Sequence, residues 1–481
     1  MAEMDPIELH AHNPLRIENP ALIPAGRYYD EDFYRLEGER MWPHVWQMAC
    51  RLEQIPEVGD WIEYSNLGKS VIVVRTRDEV KAYQNHCRHR GVPIAGGEGN
   101  AEGKSAHGNC AKSGFICPFH GWRWNMDGDC TFVYGRHLFD EELLNKDDLA
   151  LRSVRVETWG GCAFINHDPD APSLRDSLGP VLDRLEARGM SKMRAQWWFA
   201  TVLPANWKVA MEAFMEGYHV MKTHPQLQHA QPSLYNGRYG NETGGLGPTI
   251  NPNLSVSENI AEALQTMELL SDGMAGLVQR KEIEIARAVP THDLPEDPQV
   301  AIMAWYGRVC QAITDTLRAR GEDVPDLAKV MVEQPVEAVE FLFPNTFLLT
   351  YFTSMSAYRI RPLGPESCLF ELWSLTHYPE GEEPELQREP TVLPFDSQDF
   401  PMIPRQDYSN IPIQQKGLHS EGLENLRLCK EREGLISNYQ RLIDGYIAGA
   451  PAALLSNANQ KLGGNFDGAI LDLELEKKHG L

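Results

Sequence analysis

The sequence predicts a small all-β domain followed by a larger α+β domain built on an antiparallel sheet. Three observations carry this. From about Trp46 to His167 the chain is a series of short β-branched or aromatic runs, separated by Gly- and Asp-rich turns such as Asp127-Gly128-Asp129. From about Ala195 strand-like runs alternate with amphipathic helical stretches. The 481 residues are 42% hydrophobic and 23% charged, an ordinary globular balance with length for roughly two or three domains.

Residues 1–44 are read as an N-terminal segment, Pro-rich at first. Within it Tyr29–Met41 predicts a helix, with Asp30 or Asp32 as cap and Phe33, Leu36 and Met41 on one side. Residues 45–170 are the β domain, with strands at Trp61–Tyr64, Ser70–Arg75, Val80–Tyr83, Phe132–Tyr134 and Cys162–Asn166. Residues 171–481 are the α+β domain. Its expected elements begin with a connecting helix over Ser173–Arg188, a strand over Ala195–Leu203 and a helix over Trp207–Lys222. The loop Leu227–Asn253, rich in Gly, Pro and Asn, is long enough to be a functional lid. Helices are expected between Ser257 and Val332, and strands at Ala338–Leu342, Thr346–Phe352 and Leu369–His377. Tyr378–Pro404 reads as a loop and Asp407–Ile447 as largely helical.

Charge narrows the partners. Against 45 Lys and Arg stand 68 Asp and Glu, a net charge of −23, which repels phosphate and argues against nucleic acid. No apolar run approaches the ~20 residues of a membrane span. Met1–His10 is acidic and lacks an apolar core, so no secretory signal is read. Nine scattered cysteines, an odd number, fit a reduced cytoplasm better than a disulfide framework.

Inside the β domain two short loops each offer one Cys and one His. Cys87 and His89 are spaced C-x-H, Cys117 and His120 are spaced C-x2-H, and a Gly follows each His closely. Two thiolates and two imidazoles can hold zinc or an iron–sulfur cluster. One Cys and one His per loop suits a [2Fe–2S] centre with one iron on thiolates and the other on imidazoles. The polar, Gly-rich stretch between the loops also carries His107 and Cys110, which lie in no matching loop.

A second constellation lies in Asn206–His224. Glu212, Glu216 and His219 are spaced i, i+4, i+7 and would share one helix face. His224 stands ~140° further round an ideal helix, so both rings reach one metal only if the helix loosens. Pro225 fits a helix ending at His224. Two His and one carboxylate on one face of an iron leave positions open for oxygen and substrate.

The segments Cys87–Gly91 and Cys117–Trp122 resemble a Rieske domain. With Glu212–Pro225 added, the chain resembles the catalytic (alpha) subunit of the Rieske non-heme iron oxygenases, the ring-hydroxylating oxygenase family. That resemblance implies an all-β Rieske domain and an α+β helix-grip catalytic domain. It implies Cys87, His89, Cys117 and His120 as ligands of one [2Fe–2S] cluster, and His219 and His224 as ligands of one mononuclear Fe(II). Glu216 corresponds to the carboxylate that bridges a cluster His of one subunit and an iron His of its neighbour. Ala213 stands where the family often has Asn. The third iron ligand comes from downstream, where Asp396, Asp399 and Asp407 are candidates. Asp407 is chosen, because Gln406–Leu418 resembles the family's third-ligand helix and Asp407 starts a helical run.

The resemblance further implies a mono- or dioxygenase that takes electrons from NAD(P)H through a separate reductase, with or without a ferredoxin. No nicotinamide or flavin motif is visible. It implies a homotrimer and leaves a small beta subunit open. O2 and a small organic substrate are the reactants. Phe214, Met215, Met221, Phe341, Phe343, Phe347, Tyr351 and Phe352 are candidate lining residues, favouring a hydrophobic, aromatic or polycyclic substrate. Oxidative demethylation of a methylamine-type substrate stays open, because relatives with Glu at the Glu216 position include such enzymes. Two readings of another class are an electron carrier and a binding protein without iron; both leave His219, His224 and Asp407 unexplained. Arg88, Arg90, Lys104, Lys112 and Arg123 make a basic patch near the cluster loops, suited to an acidic ferredoxin.

Overall fold

The computed structural model describes residues 13–97, 103–232, 250–251, 253–274, 276–336, 339–465 and 468–475. Much of the expected lid Leu227–Asn253 lies outside the described residues. Strand β1 (Leu22–Pro24) opens the chain, followed by β2 (Gln47–Arg51), β3 (Asp60–Asn66), β4 (Lys69–Arg75), β5 (Val80–Gln84) and β6 (His107–Asn109). Strands β7 (Phe115–Ile116), β8 (Arg123–Trp124) and β9 (Cys130–Phe132) form a small sheet of three. Strands β10 (Ser153–Trp159) and β11 (Cys162–Asn166) complete a seven-stranded sheet in the order β2-β11-β10-β5-β4-β3-β6. The continuous apolar run Val71–Val74 buries the centre of β4 on both faces of this sheet. The β3–β4 hairpin turns through Leu67 and Gly68, both at positive φ, which matches the twist of the strands.

The α+β part is built on β12 (Arg194–Leu203), β13 (Val339–Leu342), β14 (Thr346–Thr350), β15 (Ser354–Gly364), β16 (Ser367–Thr376) and β17 (Thr391–Val392). Their order is β13-β14-β15-β16-β12-β17, antiparallel except for the short β12–β17 pairing. Strand β18 (Asn425–Arg427) pairs instead with β1, which ties the N-terminal segment to the C-terminal region.

The two faces of the six-stranded sheet do different work. One face carries Phe347, Tyr358, Phe370 and Leu372, and is covered by helices that include Trp207–Glu212, Val256–Met274 and Met402–Gly417. The opposite face carries Leu348, Met355, Trp198 and Trp373, and packs in one buried cluster with Trp46, Met48 and Phe164 of the β domain. Charge is buried at this junction too. Arg359 pairs with Glu371 through two hydrogen bonds of 2.7 and 2.8 Å, and donates to the carbonyls of Met48 and Ala49. Arg361 shares Glu371 and donates to the carbonyl of Ser65. Nearly every donor of the two planar forks thus meets an acceptor, the condition under which buried ions are tolerated.

Several expected elements differ in detail. The Tyr29–Met41 helix spans Glu31–Arg40, with Asp30 capping Phe33 N. The connecting helix splits into Leu174–Leu178 and Pro180–Ala187, because Gly179 adopts φ 62° and ψ −134° and Pro180 restarts the helix. The strand expected at Phe132–Tyr134 lies earlier, at Cys130–Phe132. The Trp207–Lys222 helix breaks after Glu212 and resumes only as the single turn Val220–Thr223. Every residue of Trp207–Glu212 is buried, and beyond the break Phe214 turns into the aromatic cluster of the sheet. Strand β15 was not among the expected elements, and neither was the helix Ala452–Gly463. Among the described residues no helix is long and apolar enough to cross a membrane.

The junction gives a direct test. Replacing Arg359 by Ala leaves Glu371 with one counter-charge and strips the Met48 and Ala49 carbonyls of their donor. The expected loss is about 3–5 kcal/mol, read as a lower urea midpoint by tryptophan fluorescence; an unmoved midpoint contradicts it.

Candidate metal centres

The cluster loops are near copies of one another. In the first, Cys87 N donates to Val92 O and Gly91 N to Cys87 O, at 2.7 and 2.9 Å. In the second, Cys117 N donates to Trp122 O and Gly121 N to Cys117 O, at 2.8 and 3.0 Å. Each turn closes on a glycine at positive φ, 79° for Gly91 and 69° for Gly121, which explains why Gly follows each Cys-and-His pair. Cys87 and Cys117 are buried side by side, and burial together with the neighbouring thiol pushes Cys87 up to about 11. Binding a metal there therefore displaces protons. The rings of His89 and His120 meet edge to face at 4.8 Å, and His89 stacks on Trp122 at 4.9 Å. His89 Nδ1 is buried without a hydrogen-bond partner. A buried, orphaned imidazole nitrogen on His89, a second imidazole against its ring and two adjoining thiols make up the donor set that a [2Fe–2S] centre on two Cys and two His requires, so the residues fit that group. Cys110 is buried on its own turn and His107 sits on β6 with Nδ1 3.7 Å from Glu389, so neither joins the four.

The second centre forms where the helix breaks. Glu216 accepts from the backbone N–H of His219 at 3.0 Å and from its Nδ1 at 2.7 Å. The carboxylate thus orients the ring and leaves Nε2 as the free nitrogen. His224 has φ −119° and ψ 59°, a non-helical setting in keeping with Pro225, which starts the next helix Pro225–Ala230. Its Nδ1 lies 2.8 Å from Gln406 Oε1, and Gln406 in turn exchanges amide hydrogen bonds with Gln226. Asp407 comes from the helix Met402–Gly417 and is 4% exposed. Its Oδ1 lies 3.1 Å from His224 Nε2 and 3.7 Å from His219 Nε2. One ligand atom from each of the three lies within 4.8 Å of the others. Two imidazoles whose outer nitrogens are already engaged, converging on a buried carboxylate, form a facial set that fits a divalent iron. Burial works against the His219 imidazolium, but the Glu216 hydrogen bond and the Glu216 and Asp407 charges outweigh it and raise the His219 pKa.

Two sequence expectations need correction at this site. Asp407 is not at the start of a helix: the helix begins at Met402, so Asp407 sits in its second turn and points inward. Glu212 and Glu216 do not share a helix face with His219, because the helix has ended between them. Asp396 and Asp399 are both exposed in the preceding loop, and Asp399 N bonds only its neighbour Ser397. Gln406 was missed; its only signal was its place beside Asp407.

Of the candidate lining residues, Phe214 packs on Phe347 at 4.5 Å, and Phe341 on Phe347 at 5.8 Å. Met215 is buried in the same core and Met221 is half-buried on the short turn after His219. Phe343 faces away and stacks on Tyr446, while Tyr351 and Phe352 pair with each other further along the sheet. The same aromatic cluster includes Tyr358, stacked on Phe347 at 4.5 Å, and Phe370 against Tyr408, neither named from sequence.

Comparison with known proteins adds two family matches. Residues 182–449 match the model of the ring hydroxylating alpha subunit (catalytic domain), and residues 45–136 that of the Rieske [2Fe-2S] domain. The two models together imply a Rieske cluster and a mononuclear iron. Among curated proteins, the carnitine monooxygenase oxygenase subunit of Escherichia coli (strain K12) is 31% identical over 208 residues, 42% of this chain and 52% of that protein. The biphenyl 2,3-dioxygenase subunit alpha of Rhodococcus jostii (strain RHA1) is 36% identical over 208 residues, 41% of this chain and 42% of that protein. The chain thus spans about half the length of the curated relatives it matches. Among solved structures, naphthalene 1,2-dioxygenase with indole bound matches with a TM-score of 0.62 at 19% identity, covering 95% of this chain and 98% of that one. The apo quaternary ammonium Rieske monooxygenase CntA matches with a TM-score of 0.55 at 18% identity, covering 89% and 96%.

The Glu216–His219 pair predicts a titration. In metal-free protein, Glu216→Gln removes the charge that favours the imidazolium while keeping the acceptor. The His219 midpoint should fall, as followed by imidazole NMR; an unchanged midpoint means that Glu216 does not control this ring.

Proposed function

This chain belongs to the family of ring-hydroxylating alpha subunits, here joined to a Rieske [2Fe-2S] domain, and on that premise we propose that it is the terminal oxygenase component of a multicomponent system. The observation that carries the reading is the convergence of His219, His224 and Asp407 on one point. When bound, the cluster and the iron supply one-electron transfer and dioxygen activation. The chain's own residues do the rest. Glu216 and Gln406 hold the two imidazoles by Nδ1, so that both Nε2 atoms face Asp407. The buried Asp407 and His224 exclude water from one side of the centre, and His219 remains the more accessible ligand, its side chain 26% exposed.

The substrate rests on the wall of Phe214, Phe347 and Tyr358, three rings within 5.4 Å of one another. Such faces accept a hydrophobic, aromatic or polycyclic molecule by stacking. A second reading, oxidative attack on a methylated ammonium compound, is favoured by the similarity to the carnitine monooxygenase subunit, since aromatic faces also bind onium groups.

Electrons reach this chain from NAD(P)H through a separate reductase, alone or through an acidic ferredoxin, in the cytoplasm. The Rieske tip suits such a partner. Arg90 lies over Phe119 and Arg123 over Phe132, two exposed rings carrying guanidinium groups on a chain of net charge −23. A homotrimer is the proposed assembly. Phe119 beside His120 is 56% exposed and Tyr218 beside His219 is 57% exposed, aromatic faces next to both centres that a second copy would cover. In it Glu216 would bridge the two centres across the subunit boundary.

Iron analysis decides between this enzyme and a plain electron carrier. Three irons per chain are expected, against two for a carrier. His219→Ala should keep the visible spectrum of the cluster and lose substrate-dependent oxygen uptake by at least about a hundredfold; unchanged uptake refutes the role of His219. Oxygen and NADH consumption with a generic reductase, measured with aromatic hydrocarbons and with carnitine, separates the two substrate readings.

A further inference from the structure

The N-terminal segment lies outside both matched family models, yet it reaches both elements that carry the iron-binding residues. Tyr28, in the single turn Ala25–Tyr28, is fully buried. Its hydroxyl donates to the Glu212 carboxylate, at 2.8 Å to Oε2 and 3.1 Å to Oε1. Glu212 is the last residue of the helix Trp207–Glu212, and its carbonyl accepts from Met215 N at the break that leads to Glu216 and His219. The backbone carbonyl of Tyr28 accepts from Gln415 Nε2 at 3.1 Å, and Gln415 lies two turns beyond Asp407 on the same helix. Gln415 Oε1 also accepts from Asn206 N, the cap of the Trp207–Glu212 helix. One residue therefore bonds both elements whose relative position sets the distance from His219 and His224 to Asp407.

The surroundings make this contact stiff. Gln440, from the helix Gly434–Ile447, donates to Glu212 Oε1 and lies 3.3 Å from the Tyr28 hydroxyl. Arg27 is held by Asp444 at 2.7 Å and by Gln440 at 2.8 Å. On the other side Lys208 pairs with Glu37 at 2.7 Å, which anchors the helix to Glu31–Arg40. All of these groups are buried, so none can exchange a lost partner for water without cost.

We propose that Tyr28 is a positioning residue of the iron centre, clamping the His219/His224 element to the Asp407 helix through Glu212 and Gln415. The inference rests on the iron reading given above. Burial pushes Glu212 up to about 7, against the hydrogen bonds of Gln440 and Tyr28 and the charges of Lys208 and Arg27. Tyr439 and Glu37 are the remaining titratable groups that face this network. The ionised carboxylate accepts the stronger hydrogen bond from Tyr28, so the clamp is tightest above that pH and slackens as pH falls through it.

The test uses the full chain with its cluster. Tyr28→Phe keeps the ring and removes the donor. Tyr439→Phe is the control: it keeps the ring and removes an equally buried hydroxyl that donates at 2.7 Å to Pro344 O and not to either ligand element. Loss of mononuclear iron to a chelator is measured against the cluster absorbance at several pH values, with the urea midpoint of each variant. Tyr28→Phe should release iron about tenfold faster than the wild type, with its cluster spectrum unaltered. It should also lack the wild type's acid-side rise in release, because the hydrogen bond that weakens when Glu212 is protonated is already gone. Glu212→Gln should lack that rise. Tyr439→Phe should hold iron like the wild type even where its urea midpoint drops. Equal iron loss from both tyrosine variants, or a Tyr28→Phe protein that retains iron normally, overturns the clamp. A wild-type protein with only two irons per chain overturns the iron reading itself.

Discussion

The corner that binds iron depends on one constraint. Two imidazole Nε2 atoms and one carboxylate must meet, although the histidines and the aspartate come from segments with no local contact in the chain. The histidine segment could not do this as a regular element, whereas Asp407 does so from the helix Met402–Gly417. A continuous helix would carry His219 and His224 round to different sides, and the break after Glu212 together with the non-helical backbone at His224 removes that conflict. The rings are then fixed from behind by Glu216 and Gln406. A carboxylate as buried as Asp407 is costly without a cation, so the fold at this point is built for an ion.

The six-stranded sheet supplies the platform for that convergence. Its one face bears Phe347, Tyr358 and Phe370 and takes the ligand-bearing helices; its other face is sealed against the β domain. The sealing is not purely apolar. Arg359 and Arg361 straddle Glu371 and reach the carbonyls of Met48, Ala49 and Ser65. Hydrophobic contact between Trp373, Met48 and Phe164 has no directional preference, whereas the two guanidinium forks accept only one register of the β domain on the sheet. The N-terminal segment adds a third layer, pairing β1 with β18 and placing Tyr28 and Glu37 under the Trp207–Glu212 helix.

Much of this was legible in the residues. Strands such as β4, β11 and β12 stood out because their β-branched and aromatic runs are short and bounded by turn residues. The paired cluster loops were legible because their geometry is local: the Cys, the His and the closing glycine lie within one turn. Other features were hidden for equally physical reasons. Strand β15 reads as polar in places because Arg359 and Arg361 are buried against Glu371, a pairing invisible along the chain. The break after Glu212 was masked by good helix formers on both sides; the contacts made at it, Glu212 with Tyr28 and Phe214 with Phe347, are tertiary.

The amino-acid order by itself therefore determined the chemistry of the donors: two thiols and two imidazoles in matching turns, and two further histidines ahead of a proline. These are short-range facts of spacing and of glycine and proline stereochemistry. Only the tertiary structure decided that Asp407 rather than Asp396 or Asp399 faces those histidines, and that Gln406 and Glu216 hold the rings. It also decided that Phe343 stacks on Tyr446 while Tyr358 and Phe370 join the cluster of Phe214 and Phe347. Which of several chemically equal side chains points inward depends on how helices seat on the sheet, and that seating is set by long-range burial and paired charge that local spacing does not encode.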